Sequence, residues 1–221
     1  PADFDYYSDM SSKAMEIIEK YADVFEYVGR DEAYLDVTKK TEIDFHNAEH
    51  LAQQLKNEIR NSLKLTCSVG ITPNKLLSKI ASDYKKPDGL TTVKPEQVEE
   101  FLSPLKIREI PGIGKKTENV FMQMNVHTIE ELRKIDVFDL NKIFGRKTGG
   151  YIFNSAKGID TEIVKERPPT IQFSKIVTLK KNSKELEFLR ENMIELCTQL
   201  NKIAIENNKM YRSIGIQFVN E

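Results

Sequence analysis

Tyr7, Met10, Ala14, Ile17, Ile18 and Tyr21 recur at helical spacing, which predicts an amphipathic helix over residues 6–21. Val24-Phe25-Glu26-Tyr27-Val28 and Ala33-Tyr34-Leu35-Asp36-Val37 are rich in β-branched and aromatic residues. They predict two strands joined tightly around Gly29-Arg30-Asp31-Glu32. A second helical stripe follows in Ala48, Leu51, Ala52, Leu55 and Ile59, and then a β-rich run from Leu65 to Ile71. Thr72 suits an N-cap and Pro73 the first helical position, so a helix is predicted to open there. It should stop by Lys86-Pro87-Asp88-Gly89, because the residue before proline is pushed out of the α region. A short strand, Leu90–Val93, completes a strand–strand–helix–strand–helix–strand block.

From Lys94 to about Gly158 the pattern changes to short helices punctuated by Pro95, Pro104, Pro111, Gly112 and Gly114, with a capping box at Thr128-Ile129-Glu130-Glu131. Residues 159–170, with Glu162, Lys165, Glu166, Arg167 and Pro168-Pro169, predict a linker. A strand (Ile171–Leu179), a long helix (Lys184–Asn207) and a strand (Tyr211–Val219) follow, so three segments are expected, the last of them incomplete.

Composition narrows the classes. Of 221 residues, 39% are hydrophobic and 30% charged, the mix of a soluble globular protein rather than a disordered or fibrous one. No apolar run approaches the roughly 20 residues that span a bilayer, and no apolar signal segment opens the chain. Cys67 and Cys197 stand far apart without a CxxC pairing, against a zinc knuckle or disulfide framework; each is expected to be a small buried hydrophobe. The net charge of −1 conceals an asymmetry. Residues 1–62 hold 14 acids and 7 bases, and the remainder holds 20 acids and 26 bases, so different stretches are expected to meet different partners.

Candidate chemistry begins at Asp31-Glu32. Two adjacent carboxylates at a hairpin turn form either a hard-cation site or a solvated turn; on a regular strand they would point to opposite faces, so a twist is needed to bring both to one metal. Lys75, Lys79 and Lys86, at offsets of 4 and 11, fall within roughly 40° of one another on an ideal helix. Such a stripe suits a polyphosphate or nucleic-acid backbone, or else is a solvated helix face. Ile110-Pro111-Gly112-Ile113-Gly114-Lys115-Lys116, between two helical segments, has the pattern of a helix-hairpin-helix, whose amides bind a phosphate without reading a base. A plain Pro-Gly turn is the alternative. A weaker echo, Phe144-Gly145-Arg146-Lys147-Thr148-Gly149-Gly150, follows, and residues 141–158 carry Lys142, Arg146, Lys147 and Lys157 with no acid. His46-Asn47-Ala48-Glu49-His50 matches a zinc-peptidase pattern, but the apolar face runs through Ala48 and Leu51, which leaves a wet helix start as the better reading.

Together these residues resemble the Y-family (DinB/polymerase IV-like) translesion DNA polymerases. Gly29-Arg30-Asp31-Glu32-Ala33-Tyr34-Leu35-Asp36 is similar to that family's S-x-D-E-A-Y-L-D palm motif. Ser68-Val69-Gly70-Ile71 through Asn74-Lys75, Ala81 and Lys86-Pro87-Asp88-Gly89 are similar to its S-V-G-x-x-x-N-K…A-x-x-x-K-P-[ND]-G segment. Pro111-Gly112-Ile113-Gly114 resembles the thumb hairpin; Phe144-Gly145, Gly150 and Ala156-Lys157-Gly158-Ile159-Asp160 resemble the end of the thumb.

The resemblance implies an α+β protein: a partial palm (antiparallel sheet with helices) over 1–93, a helical helix-hairpin-helix thumb over 94–158, a linker over 159–169 and a partial α/β little finger over 170–221. It implies two Mg²⁺ ions held by Asp31 and Glu32 as the catalytic carboxylates, and Lys86 on the incoming triphosphate. Lys75, Lys79, Gly112, Gly114, Lys115, Arg146 and Lys147 are the expected DNA contacts. The implied partners are primer–template DNA and a dNTP, with a sliding clamp met through a tail beyond Glu221 and no membrane. The implied protein is a cytoplasmic monomer.

Gly29 and Arg30 replace the family's Ser and an aliphatic residue, which adds positive charge to the turn. The family's first metal-binding Asp and its steric-gate aromatic lie before the fingers, and Asp3 and Asp5 stand in the wrong place to supply that ligand. The chain is therefore expected to be an internal fragment that binds Mg²⁺ weakly and does not polymerise by itself. A non-catalytic DNA-binding module is the second reading, and another palm-type nucleotidyl transferase or cyclase the third.

Overall fold

The computed structural model describes residues 2–166, 172–179 and 183–219. The Arg167-Pro168-Pro169 portion of the expected linker and Ile171 lie outside the described residues. The chain divides into two units, Pro1–Arg167 and Pro168–Glu221.

The first unit opens with α1 (Phe4–Glu19), where the Asp3 carboxylate accepts the Tyr6 N–H and Met15 and Ile17 turn inward. Strands β1 (Val24–Gly29) and β2 (Glu32–Asp36) form the expected antiparallel hairpin, in register from Val24↔Asp36 to Gly29↔Glu32 with a shift between Tyr27 and Gly29. Helix α2 (Phe45–Leu63) is capped by Asp44 and buries Ala48, Ala52, Leu55, Lys56 and Ile59.

Strand β3 is only Val69–Ile71, shorter than the β-rich run from Leu65, because its ladder is limited to the three residues of β4 (Leu90–Thr92), which it pairs in parallel. Between them α3 (Lys75–Tyr84) starts later than Thr72-Pro73 predicts. The Asn74 side chain takes the capping role by accepting the Leu77 N–H, while the Thr72 hydroxyl donates to the Asn74 carbonyl at 2.8 Å. Strands β1–β2 and β3–β4 thus form two separate two-stranded sheets, one antiparallel and one parallel. Helix α3 lies directly on β3, where a Cβ at Gly70 would come within 2.3 Å of the Ser78 carbonyl oxygen; only glycine allows that approach.

The rest of the unit is helical: α4 (Val98–Leu102), α5 (Lys115–Gln123), α6 (Ile129–Arg133), α7 (Val137–Phe144) and α8 (Arg146–Ala156). The capping box reciprocally joins Thr128 and Glu131 at the start of α6. Two cores organise the unit. Ile17, Leu55 and Ile59 pack with Tyr21, Leu35 and Cys67 under the hairpin. The larger core joins Leu76, Leu77 and Ile80 of α3 to Leu102, Ile110, Phe121, Ile129, Leu132, Leu140 and Ile152 of the helical part. Helix α3 therefore serves both halves, and the step in sequence texture at Lys94 is not a step in packing.

The second unit holds α9 (Leu186–Glu206). The expected strands around it are not found: the described residues 172–179 and 211–219 carry none. An alternating pattern supplies a strand's faces but not the neighbour whose N–H and C=O groups complete a ladder. Cys197 on α9 is exposed rather than buried, and Cys67 is partly buried against the hairpin core. No helix among the described residues is long and apolar enough to cross a membrane.

Candidate active site and nucleic-acid interface

The hairpin's register shifts between Tyr27 and Gly29, just before the two adjacent carboxylates. Asp31 sits in the turn, exposed, and Glu32 is the first residue of β2. Both line one cleft of about 770 Å³ whose walls also carry Asp36, Lys75, Lys79 and Lys86, and to which β2 and β3 contribute from their separate sheets.

The three lysines do not form one stripe. Lys75, at the start of α3, is turned inward and its ammonium bonds both oxygens of Glu26, at 2.8 and 2.9 Å, and lies 4.9 Å from the centre of the Tyr34 ring. With side chains only 10% and 16% exposed, this is a nearly buried ion pair; removing one partner of such a pair costs about 3–5 kcal/mol. Lys75, expected on DNA, is thus seated as an internal partner of β1. Burial works to raise the Glu26 pKa, but the bonds from Lys75 and from the Lys165 backbone N–H outweigh it and hold the carboxyl below its ordinary range.

Lys79, one turn later, places its ammonium on Glu32 and 3.2 Å from Asp83. Burial would lower its pKa, and these two carboxylates raise it instead. Lys86 lies beyond the end of α3, so it is not on the helical face either; its ammonium meets Asp83 at 2.5 Å and stays largely exposed. Glu32, Lys79, Asp83 and Lys86 form a chain of alternating charge, of which Glu32, Lys79 and Lys86 line the cleft.

Asp31 and Glu32 offer oxygen donors alone, and the cation now seated on Glu32 is the Lys79 ammonium. That donor chemistry fits a hard divalent cation, which would take its other positions from water and phosphate. Among the described residues no group of three or more His, Cys, Asp and Glu is placed to hold a metal. His46 and His50 of the peptidase-like pattern are exposed in the first turns of α2.

In the helical part, two helices start at the expected glycines without a side-chain cap. Gly114 is the N-cap of α5 and Gly145 that of α8, and neither helix has a side-chain cap bond, so their first amides are available to an anion. Gly112 precedes the first of these at φ +84°, a conformation costly for any residue with a Cβ. The Tyr151 hydroxyl donates to the Pro111 carbonyl at 2.6 Å and fixes that hairpin to α8. Gly112, Gly114, Lys115, Arg146 and Lys147 are all exposed.

Several residues in and under this region carry contacts that the motifs do not name: Glu26, Lys56, Asp83 and Tyr151. Two of them carried a signal. Glu26 stands among apolar neighbours within a strand, and Lys56 falls on the buried stripe of α2; each is a charge where the pattern asks for none. Lys56 bonds Asp88 at 2.6 Å, and that bond foremost holds the Asp88 carboxyl below its usual range.

The chain matches two family models: the impB/mucB/samB family over residues 1–83 and the DNA polymerase-iota thumb domain over residues 108–160. It is 65% identical to DNA polymerase IV of Nitrosopumilus maritimus (strain SCM1) over 219 residues, 99% of this chain and 60% of the relative. It is 36% identical to DNA polymerase IV 1 of Methanosarcina mazei over 225 residues, 100% of this chain and 62% of the relative. The chain thus spans about 60% of the length of these curated relatives. Among solved structures, an insertion ternary complex of Dbh DNA polymerase superposes with a TM-score of 0.72 at 33% identity, over 90% of this chain and 59% of that one. DinB from Sulfolobus solfataricus superposes with a TM-score of 0.70 at 36% identity, over 74% of this chain and 48% of that one. With the two family models matched in order along it and 65% identity to a DNA polymerase IV across 99% of its length, the chain belongs to the Y-family of DinB/DNA polymerase IV-like polymerases.

Proposed function

We propose that the full-length protein is a template-directed DNA polymerase of the lesion-bypass type, adding dNTPs to a primer 3′-hydroxyl with release of pyrophosphate. The observation that carries this reading is the cleft in which Asp31 and Glu32 share a wall with Lys79 and Lys86. In the proposed layout, residues 1–93 serve as palm, 94–158 as thumb, 159–169 as linker and 170–221 as part of the little finger.

Asp31 and Glu32 would hold the divalent cations, two Mg²⁺ ions in the complete site. Bound there, such ions supply Lewis-acid charge that acidifies the primer hydroxyl and offsets the charge gathering on the α-phosphate. Lys86, largely exposed beside the cleft, contributes a mobile point charge to the triphosphate. Lys79 keeps Glu32 oriented before substrate arrives. The amides at the starts of α5 and α8, with Lys115, Arg146 and Lys147, hold backbone phosphates, and these contacts position the duplex without reading sequence.

Primer extension by the full-length protein tests the reading against Asp31→Ala and Glu32→Ala. Loss of extension with retained primer–template binding supports it; undiminished extension in both variants would reduce the protein to a DNA-binding module.

A further inference from the structure

Lys56 lies on the apolar stripe of α2 and is 6% exposed. Its ammonium donates to the carbonyls of Cys67 (2.5 Å), Asp88 (3.0 Å) and Gly89 (3.2 Å) and to Asp88 Oδ1 (2.6 Å). Arg60, one turn further on, reaches the other carboxylate oxygen of Asp88. A lysine has three N–H groups to donate, and here every acceptor belongs to the approach to β3 or to the turn that leads from Lys86 into β4.

Two further facts describe how this turn is held. Asp88 has φ +54°, in the left-handed region, which aspartate tolerates better than most residues with a Cβ and which its bonds to Lys56 and Arg60 hold in place. The constraint also comes from inside: the carbonyls of residues 67, 88 and 89 converge on one buried cation, whereas among the described residues Lys86 itself is tethered through Asp83 at the surface. An apolar residue at position 56 would fill the space but leave the carbonyls of Cys67 and Asp88 and the Oδ1 of Asp88 without this donor, while Gly89 keeps the Val69 N–H and Asp88 Oδ2 keeps Arg60.

We propose that Lys56 is a positioning residue for the triphosphate site: by holding Asp88 and Gly89 from within the core, it fixes the direction in which Lys86 leaves the turn toward the cleft. This inference rests on the reading of Lys86 as the contact to the incoming nucleoside triphosphate.

The test is primer extension by the full-length protein, giving kcat and the KM for a dNTP, with primer–template Kd from fluorescence anisotropy and folding from circular dichroism. The variants are Lys56→Met, Asp88→Asn and Lys86→Ala, and each of the first two combined with the third. Lys86→Ala and Lys56→Met should each raise the KM for dNTP by about tenfold, Asp88→Asn by about threefold, with primer–template Kd held within about twofold. If Lys56 acts through Lys86, each double variant has the KM of Lys86→Ala alone. Effects that multiply, or a KM unmoved by Lys56→Met, overturn the inference, since lost packing alone would lower Tm and kcat whatever stands at position 86. Should Lys56→Met not fold, the Asp88→Asn pair carries the same comparison. An unchanged KM in Lys86→Ala removes the triphosphate reading itself, and the positioning role falls with it. An elevated KM in Lys86→Ala beside a normal one in the folded Lys56→Met sinks the positioning role alone.

Discussion

The Lys79 ammonium rests on the carboxylate of Glu32, so the residue proposed to hold a metal is already occupied by a cation of the protein's own. A divalent ion has to displace it. Lys79→Met should therefore tighten Mn²⁺ binding by about 1.4- to 5-fold, the range of a partly exposed pair worth about 0.2–1 kcal/mol. Glu32→Gln and Asp31→Asn should weaken it. Titration followed by Mn²⁺ electron paramagnetic resonance reads both directions, and a Lys79→Met protein that binds Mn²⁺ less well would contradict the competition.

The bond from Tyr151 to Pro111 ties the thumb hairpin to α8. Tyr151→Phe keeps the ring and loses about 0.5–1.5 kcal/mol of hydrogen bonding. Duplex affinity should fall by roughly 2- to 10-fold with helical content unchanged. Affinity equal to that of the parent protein would show that the hairpin keeps its shape without this bond.

Arg146 and Lys147 open α8 on the exposed side of the helical part. If both neutralise phosphates, the log–log dependence of duplex affinity on salt should become shallower by about 0.9 for each one replaced by alanine. The loss should be uniform across duplex sequences. An unaltered salt slope in the double variant would move the interface elsewhere.

The Tyr21 hydroxyl donates to Glu58 at 2.6 Å, and this bond, with burial, pushes its pKa up to about 12. A raised pKa means that the folded protein keeps a proton that the unfolded chain releases from about pH 10. The stability from this contact is complete below pH 10 and is lost as the pH climbs through 12. Tyr21→Phe should be less stable than the parent at pH 7, and the gap should close between pH 10 and 12. Urea unfolding at stepped pH measures it; a constant gap would contradict the linkage.

Much of this protein is written locally. The helical repeat from Tyr7 to Tyr21, the β-branched runs about Gly29-Arg30-Asp31-Glu32 and the Thr128–Glu131 capping box each depend on residues within a few positions, and each forms where the pattern puts it. Adjacent carboxylates and a Pro-Gly-Ile-Gly hairpin are equally local, so the motifs of the Y-family were legible before any coordinates.

What only the tertiary structure decided is which charges meet. Lys75 and Glu26 are 49 positions apart and Lys56 and Asp88 are 32 apart, and no spacing rule pairs them. With α3 packed on β3 at Gly70, Lys75 is turned inward and Lys79 rests on Glu32, whereas the end of that helix before Lys86 follows locally from Pro87. Residues 211–219 show the same limit from the other side: their alternation was legible, yet a strand needs a partner's backbone. Periodicity fixes the face a side chain takes on its own element, because that is geometry over a few residues. The partner it finds there depends on how distant segments close on one another.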